Sequence, residues 1–399
     1  MSLTPLRVTP LATRAAGGLA GALRARGWDT GTARTAAAGI ASAAFRIEGL
    51  DTSVLEALVH FGGRLGLEVL TGPDWAVIAG SRSRISALAR PWTVPEELRD
   101  VALQVGLALP AEPPPHWRTA RGPLALAEPV VVGILNVTPD SFSDGAIHAT
   151  PAQVVHHAAA LLADGAGMLD IGGESTRPRR TGLVPAQEEL ARVVPAVEAV
   201  VCAFPDALIS VDTMKAEVAS AALAAGAAAV NDVTGLRFDP RMAEVAARAG
   251  AGLVIMHSRG TPLEIASDAN ADYGGDIVGA VIRELREGMD RAAAGGMDAE
   301  CLVVDPGLGF SKTAEQNMFV ADQLEVFQCL GRPLLVGPSR KRFLGVATGR
   351  EVGERDVATA AACALAWERG ARLFRVHDAR ATRDALAVAR SFGESRPDS

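Results

Sequence analysis

Residues Val130-Val-Val-Gly-Ile-Leu-Asn136-Val-Thr-Pro-Asp140-Ser-Phe142-Ser-Asp144-Gly145 set the reading of this chain. A near-continuous apolar run meets an amide, then opens into a loop of Ser, Asp and Gly. Apolar runs without alternation mark strands buried on both faces, the habit of parallel sheets. After this run, Val130–Val137, the pattern recurs at Met168–Ile171, Ala207–Val211, Ala228–Val230, Gly252–Met256, Cys301–Val304, Pro333–Val336 and Leu373–Val376. Alanine-rich amphipathic stretches follow each run: Pro151–Ala163, Pro185–Phe204, Lys215–Ala225, Arg241–Ala249, Asp276–Ala294, Thr313–Leu330, Arg355–Arg369 and Ala381–Phe392. Eight strand–helix units in about 270 residues predict an α/β chain with a (β/α)8 barrel. An open, doubly wound sheet is the alternative that the pattern leaves.

Upstream the pattern changes. Pro110-Ala-Glu-Pro-Pro-Pro115 is too rich in proline for a helix and reads as an extended linker. A boundary is therefore expected across residues 110–127, with the barrel in 128–393 and a tail in 394–399. Residues 1–109 read as a small α+β N-terminal module. In it, residues 11–44 have helical tendency, Phe45–Leu50 reads as a strand and Ser53–Leu65 as a helix. Leu67–Leu70 and Trp75–Ala79 read as a hairpin turning at Gly72-Pro73-Asp74, and Ile85–Ala89 and Pro95–Leu107 as helical. No catalytic constellation stands out there.

Composition narrows the function classes. The 399 residues are 49% hydrophobic and 21% charged, which excludes disorder. Aromatics are sparse at 4%, with Tyr273 the one tyrosine, and the net charge is −7, so no nucleic-acid partner is expected. Cys202, Cys301, Cys329 and Cys363 form no Cys-x-x-Cys pair, which fits neither a zinc site nor a disulfide framework and suits the cytoplasm. The longest uncharged apolar run, Val218–Val230, is too short to cross a membrane. The first 28 residues hold arginine and no acid, as transit peptides do, but Arg14 and Arg24 break any apolar core. Of 39 basic residues only Lys215, Lys312 and Lys341 are lysine, and Asn136, Asn231, Asn270 and Asn317 are the only asparagines. Lysine and arginine differ in geometry, so a lysine at a strand end asks for a specific role.

In a parallel barrel, chemistry belongs at the C-terminal ends of the strands. In order, these ends offer Asn136; Asp170 and Glu174; Asp212; Asn231-Asp232; His257; Asp305; Ser339-Arg340-Lys341; and Arg375-Val-His377. One or two of these would be helix caps, but eight of eight exceed what capping needs. Cations at the seventh and eighth strands, beside a helix start, read as an anion site. Asp212, Asn231 and Asp305 suit a flat heterocycle with paired N–H donors and a carbonyl. No nucleophile has an adjacent base, which argues against covalent hydrolysis. Among single residues, His156 and His157 read as solvent-facing in mid-helix, and Lys312 as a loop cation. His257 is either a site residue or a buried strand-end histidine. Glu174 either touches substrate or orients its loop.

Gly133–Gly145 closely resembles the first signature of the dihydropteroate synthases, and Asp170-Ile-Gly-Gly-Glu-Ser-Thr-Arg-Pro178 resembles the second. Asp305-Pro-Gly-Leu-Gly-Phe310, Ser339-Arg-Lys341 and Arg375-Val-His-Asp378 are similar to later motifs in the right order. The resemblance covers about residues 128–393. It implies a TIM-barrel transferase of folate biosynthesis that joins 6-hydroxymethyl-7,8-dihydropterin diphosphate to p-aminobenzoate, releasing pyrophosphate, and that uses Mg2+. It implies that Asp212, Asn231, Asp305 and Lys341 hold the pterin. Asn136, Thr176, Arg375 and His377 would hold the diphosphate, with Asn136 also near Mg2+. Phe142, Asp144, Thr176, Arg177, Pro178, Phe310 and Lys341 would shape the p-aminobenzoate pocket. Asp140, Asp144, Lys341, Arg375 and His377 would carry the catalysis, the first two on a loop able to close over the site. A homodimer through the last barrel helices, no membrane partner and sulfonamide sensitivity are also implied.

Several positions depart from the usual family pattern: Ala146, Arg179 and Arg180, Ser258-Arg259, Pro338 and Arg342. Arg342 stands where serine is common, and either forks the p-aminobenzoate carboxylate or turns to solvent. Two rivals are a pterin-barrel methyltransferase, which needs no diphosphate site, and an inactive paralogue acting as a binding or scaffold protein.

Overall fold

The computed structural model describes residues 6–11, 43–111, 113–138, 150–174 and 182–394. The chain divides into two compact units. One takes in residues 1–112 with the short segments 273–279 and 325–331, and the other takes in the remainder. In the first, β1 (Arg7–Leu11), β2 (Ala43–Glu48), β3 (Glu68–Thr71) and β4 (Trp75–Gly80) form an antiparallel sheet in the order β1-β2-β4-β3. Helices α1 (Thr52–Arg64), α2 (Arg82–Leu88) and α3 (Arg99–Ala108) bury Leu58, Ile85, Leu88 and Val105 against Phe45, Ile47 and Ile78. Asp51 starts α1 by accepting the Val54 N–H at 2.9 Å, as a helix cap should. Strand β1 escapes the sequence because five residues with a proline among them carry little period-2 signal. The helical tendency of residues 12–42 lies outside the described residues.

The second unit opens with a hairpin, β5 (His116–Thr119) and β6 (Gly122–Ala125). Among the described residues, eight parallel strands then close a barrel: β7 (Val130–Asn136), β8 (Met168–Gly172), β9 (Ile209–Asp212), β10 (Ala229–Asp232), β11 (Gly252–Met256), β12 (Leu302–Asp305), β13 (Leu334–Val336) and β14 (Ala371–Val376). β14 returns to β7, with Leu373 opposite Val130. The connecting helices are α4 (Pro151–Ala163), α5 (Ala186–Ala203), α6 (Ala216–Ala224), α7 (Met242–Arg248), α8 (Ile277–Ala294), α9 (Ala314–Asp322), α10 (Arg342–Thr348), α11 (Asp356–Glu368) and α12 (Ala379–Glu394). Every residue of β8 to β12 is buried, which is why these strands read as unbroken apolar runs. The single helix expected over Thr313–Leu330 is two pieces: α9 ends at Asp322 and a tighter 3-10 turn takes Leu324–Leu330.

The expected linker carries a hairpin from His116 onward. Trp117 of β5 is fully buried and packs with Val130, Met168, Ala229, Val254, Val303, Leu335 and Leu373, near the starts of the barrel strands. Its indole Nε1–H donates to the Cys301 carbonyl at 2.8 Å, the partner a buried tryptophan requires. Ala120 N–H donates to the Ala228 carbonyl at 3.0 Å. The hairpin therefore stoppers the N-terminal end of the barrel and leaves the opposite end for chemistry. The proline run before it conceals this role, because Trp117 stands alone between polar neighbours.

Trp117→Ala should destabilise the protein by about 3–5 kcal/mol, the range for deleting a buried large aromatic. That corresponds to a fall in Tm of roughly 10 °C for a unit of this size. Trp117→Phe, which loses mainly the hydrogen bond, should cost about 1 kcal/mol. Thermal unfolding of the three proteins checks the stopper, and equal Tm values would refute it.

Candidate active site

A guanidinium on β14 meets carboxylates from two adjacent strands, β8 and β9. Arg375, on β14, donates from Nε to Asp170 Oδ2 at 2.5 Å and from Nη2 to Asp212 Oδ2 at 2.6 Å. Asn231 of β10 donates from Nδ2 to Asp170 Oδ2 at 3.2 Å, and Ser210 of β9 donates to Asp170 Oδ1. Parallel register makes this possible, since Asp170 lies opposite Ser210 and Asn231 opposite Asp212. Burial pushes the Asp212 carboxyl above its ordinary value, and the Arg375 charge only partly opposes it. Burial alone would lower Arg375, but Asp170 and Asp212 outweigh it and hold the guanidinium charged.

The loop after β12 supplies a second polar group. Asp305 is buried and accepts the Gly307 N–H at 2.7 Å. Burial raises its carboxyl above the ordinary value despite Lys341 and Lys312 nearby. Gly309 adopts φ 84°, and a Cβ there would fall 2.4 Å from the Lys341 Cδ, so only glycine lets the lysine lie along the loop. Lys341 Nζ then donates to the Leu308 carbonyl at 2.9 Å and stands 3.5 Å from the Phe310 ring centroid. Burial lowers this ammonium from the usual lysine range.

The third group is at the ends of β13, β14 and β7. The His377 N–H donates to Ser339 Oγ at 3.1 Å, and Ser339 Oγ lies 2.9 Å from His377 Nδ1. The serine hydroxyl thus holds both the backbone and the ring of His377. Asn136 ends β7 opposite Gly172. A Cβ built on Gly172 would lie 3.6 Å from Asn136 Oδ1 and 3.7 Å from Asp212 Oδ2, so both oxygens border the same space. No group of three or more His, Cys, Asp or Glu suited to a metal occurs among the described residues.

These positions bring Asn136, Asp212, Asn231, Asp305, Phe310, Lys341, Arg375 and His377 to one rim. Arg375 is not confined to the anion end; it joins that end to the carboxylates. Arg340 turns away from the rim, forking Asp356 at 2.7 and 2.8 Å. Arg342 is exposed and pairs with Asp268 at 2.8 Å, the outward arrangement. Asp140, Phe142, Asp144, Thr176, Arg177 and Pro178 lie outside the described residues, as do Ala146, Arg179 and Arg180. Glu174 accepts from Lys215 Nζ at 2.5 Å and from Val184 N–H at 3.3 Å, which ties together the two flanks of the second loop. His257 is buried between Glu284 and Lys312. Burial and the Lys312 charge lower it to about 3, so it is neutral. Ser258 Oγ donates to the Val233 carbonyl at 2.8 Å and Arg259 pairs with Glu284, so both departures have partners within the barrel. Asp170 was visible in sequence as an acid among apolar residues, yet its role as the Arg375 partner was not.

Known proteins match this chain over the barrel. The pterin binding enzyme family matches residues 132–377. The chain is 43% identical over 280 residues to the dihydropteroate synthase of Mycobacterium leprae, covering 69% of this chain and 97% of that one. It is 44% identical over 344 residues to a "probable bifunctional folylpolyglutamate synthase/dihydropteroate synthase" of Halobacterium salinarum, covering 84% of this chain and 40% of that one. The structure of Xanthomonas albilineans dihydropteroate synthase with 4-aminobenzoic acid superposes with a TM-score of 0.65 at 43% identity, covering 71% of this chain and 99% of that one. The chain belongs to the pterin binding enzyme family, among the dihydropteroate synthases, transferases of folate synthesis.

Proposed function

We propose that the rim binds 6-hydroxymethyl-7,8-dihydropterin diphosphate across the Asp170–Arg375–Asp212 bridge and passes its methylene to the amine of p-aminobenzoate. The bridge is the observation that carries this reading: one charged guanidinium stands between carboxylate acceptors for pterin N–H groups and the Ser339–His377 pair at the anion end. Asp212, Asn231 and Asp305 accept from and donate to the pterin edge, and Lys341 lies beside it. Pterin N–H donors stabilise the ionised form of Asp212, whose burial otherwise disfavours it. With Asp212 engaged, Arg375 turns part of its hydrogen bonding to the diphosphate, alongside Asn136, Thr176 and His377.

The C–O bond to the diphosphate breaks, its electron pair leaves with pyrophosphate, and the electron-rich dihydropterin stabilises the methylene cation. The aryl amine then forms the C–N bond and loses one proton to solvent or to Asp140 or Asp144 on the first loop. Phe142, Arg177, Pro178 and Phe310 shape the amine's pocket, where sulfonamides compete. Mg2+ fits the donor set: Asn136 gives one neutral oxygen, so the ion would take its other ligands from the diphosphate and water. When bound it neutralises charge on the leaving group.

Val357, Leu365, Val388 and Phe392 expose apolar side chains on α11 and α12, which supports a homodimer through these helices. No described helix is long and apolar enough to cross a membrane.

Incubation with dihydropterin diphosphate, p-aminobenzoate and Mg2+ should yield dihydropteroate and pyrophosphate; no product would overturn the reading. Asp305→Asn should weaken pterin binding about 10- to 100-fold in calorimetry, since a charged hydrogen bond contributes roughly 1.5–3 kcal/mol. The same change should stabilise the ligand-free protein near pH 7. A carboxyl raised above its ordinary 3.8 carries a cost that is absent below about pH 4 and grows toward neutrality. The Tm gain should therefore vanish at pH 4. For Arg342, an exposed pair with Asp268 contributes under about 1 kcal/mol, so a substrate carboxylate can displace it. Arg342→Ser should raise KM for p-aminobenzoate several-fold at low salt and leave pterin binding unchanged.

A further inference from the structure

The loop from Asp305 to Phe310 is held from behind by a cation that the chemistry above does not use. Lys312 is buried, and its Nζ lies 3.1 Å from the Gly307 carbonyl, 3.2 Å from the Phe310 carbonyl and 3.0 Å from His257 Nδ1. An ammonium has three N–H donors, and here three acceptors surround it. A neutral amine would leave one of them without a donor. The chain of partners continues outward. With Nδ1 accepting from Lys312, the His257 ring hydrogen is on Nε2 and donates to Glu284 Oε2 at 3.0 Å. Burial would raise Glu284, but its hydrogen bonds from His257 and Arg259 outweigh that and hold it at about 2.

Everything else about this loop is equally committed. Gly307 adopts φ 67°, and a Cβ there would fall 1.9 Å from the His257 carbonyl. His257 N–H donates to the Asp305 carbonyl at 2.8 Å. Ser311, just past the loop, sits at φ 50°, a left-handed conformation that a non-glycine residue keeps only where its surroundings impose it. Its N–H donates to the Ile265 carbonyl and its Oγ accepts from the Arg259 N–H, both at 2.8 Å. Two of the three lysines in the chain thus divide one loop: Lys341 takes the Leu308 carbonyl, and Lys312 takes those of Gly307 and Phe310.

We propose that Lys312 is a positioning residue for the transfer reaction, fixing through the Gly307 and Phe310 carbonyls where Asp305 meets the pterin and where Phe310 and Lys341 meet p-aminobenzoate. The proposal rests on the substrate assignment made above. Charges facing Lys312 come from Asp305 and Glu284, which favour its ammonium, and from Lys341 and Arg259, which oppose it; neutral His257 completes the surroundings. Burial is the largest influence and lowers Lys312 to about 7. The loop should therefore loosen as pH rises past neutrality, a change that Lys312→Met would lack.

The test uses full-length Lys312→Met, Asp305→Asn and the double variant. Each is titrated with a pterin ligand well below its Tm, and kcat and KM for p-aminobenzoate are measured. Small misplacements at a site cost large factors, so Lys312→Met should weaken pterin binding about tenfold and raise KM for p-aminobenzoate together. In the Asp305→Asn background it should add less than about threefold, because it acts through Asp305. A folded Lys312→Met with both constants unchanged and only Tm lowered would make Lys312 a fold-stabilising cation and overturn the proposal. If Asp305→Asn itself leaves pterin binding unchanged, the substrate assignment fails and the proposal falls with it. Should Lys312→Met not fold, His257→Leu removes one of the three acceptors; the same two constants should then shift about two- to fivefold, and no shift would overturn the positioning role.

Discussion

Two buried carboxylates from adjacent strands converge at one end of the barrel, and a single partly buried guanidinium makes their company tolerable. Asp170 and Asp212 each give one oxygen to Arg375. Removing the arginine would leave two buried carboxylates without compensation, a change that costs about 3–5 kcal/mol in comparable buried pairs. A lysine would not be equivalent. Arg375 meets the two carboxylates from different nitrogens, Nε and Nη2, whereas an ammonium would have to draw both oxygens to one centre. Burial still outweighs the arginine at Asp212, whose carboxyl remains raised. The ligand-free rim is therefore an environment short of donors, and a heterocycle edge with N–H groups supplies them. Such a site is preorganised for its ligand at some cost to the empty protein.

The same closure that gathers the rim explains the other end. A barrel of eight short strands needs its interior filled, and Trp117 fills it from the N-terminal side with one indole and one hydrogen bond. The rim can then stay polar, because cohesion comes from the apolar layers below it. Structure and chemistry are separated along the barrel axis.

Much of this was legible in the residues. All eight strands fall within two residues of their apolar runs, because burial on both faces leaves no room for polar alternation. The rim residues were legible because strand ends in such a barrel face one way. Partnerships were less so. Arg375 reads as an anion ligand beside His377, yet its guanidinium reaches two strands that lie far off in sequence. Glu284 lies mid-helix with no local pattern to single it out, although it anchors His257. Lys312 reads as a loop cation, because three acceptors meeting at one nitrogen belong to the fold and leave no local pattern.

The scarcity of lysine has a physical sense. Arginine serves exposed single contacts with Glu244 and Asp268, where any positive charge would do. It also serves the one rim position that needs a planar fork. Each lysine instead meets acceptors that converge on a point: Glu174 and Glu189 around Lys215, two carbonyls and an imidazole around Lys312, a carbonyl and a ring face around Lys341. A tetrahedral ammonium on a slim stem suits such a point, whereas a guanidinium would need a flat opening there. All three lysines also secure loops that follow barrel strands. Lys215 holds Glu174 after β8, and the other two hold the residues after β12. Exchange of lysine for arginine at these positions preserves charge and loses the geometry, so the rim would keep its field but not its loops.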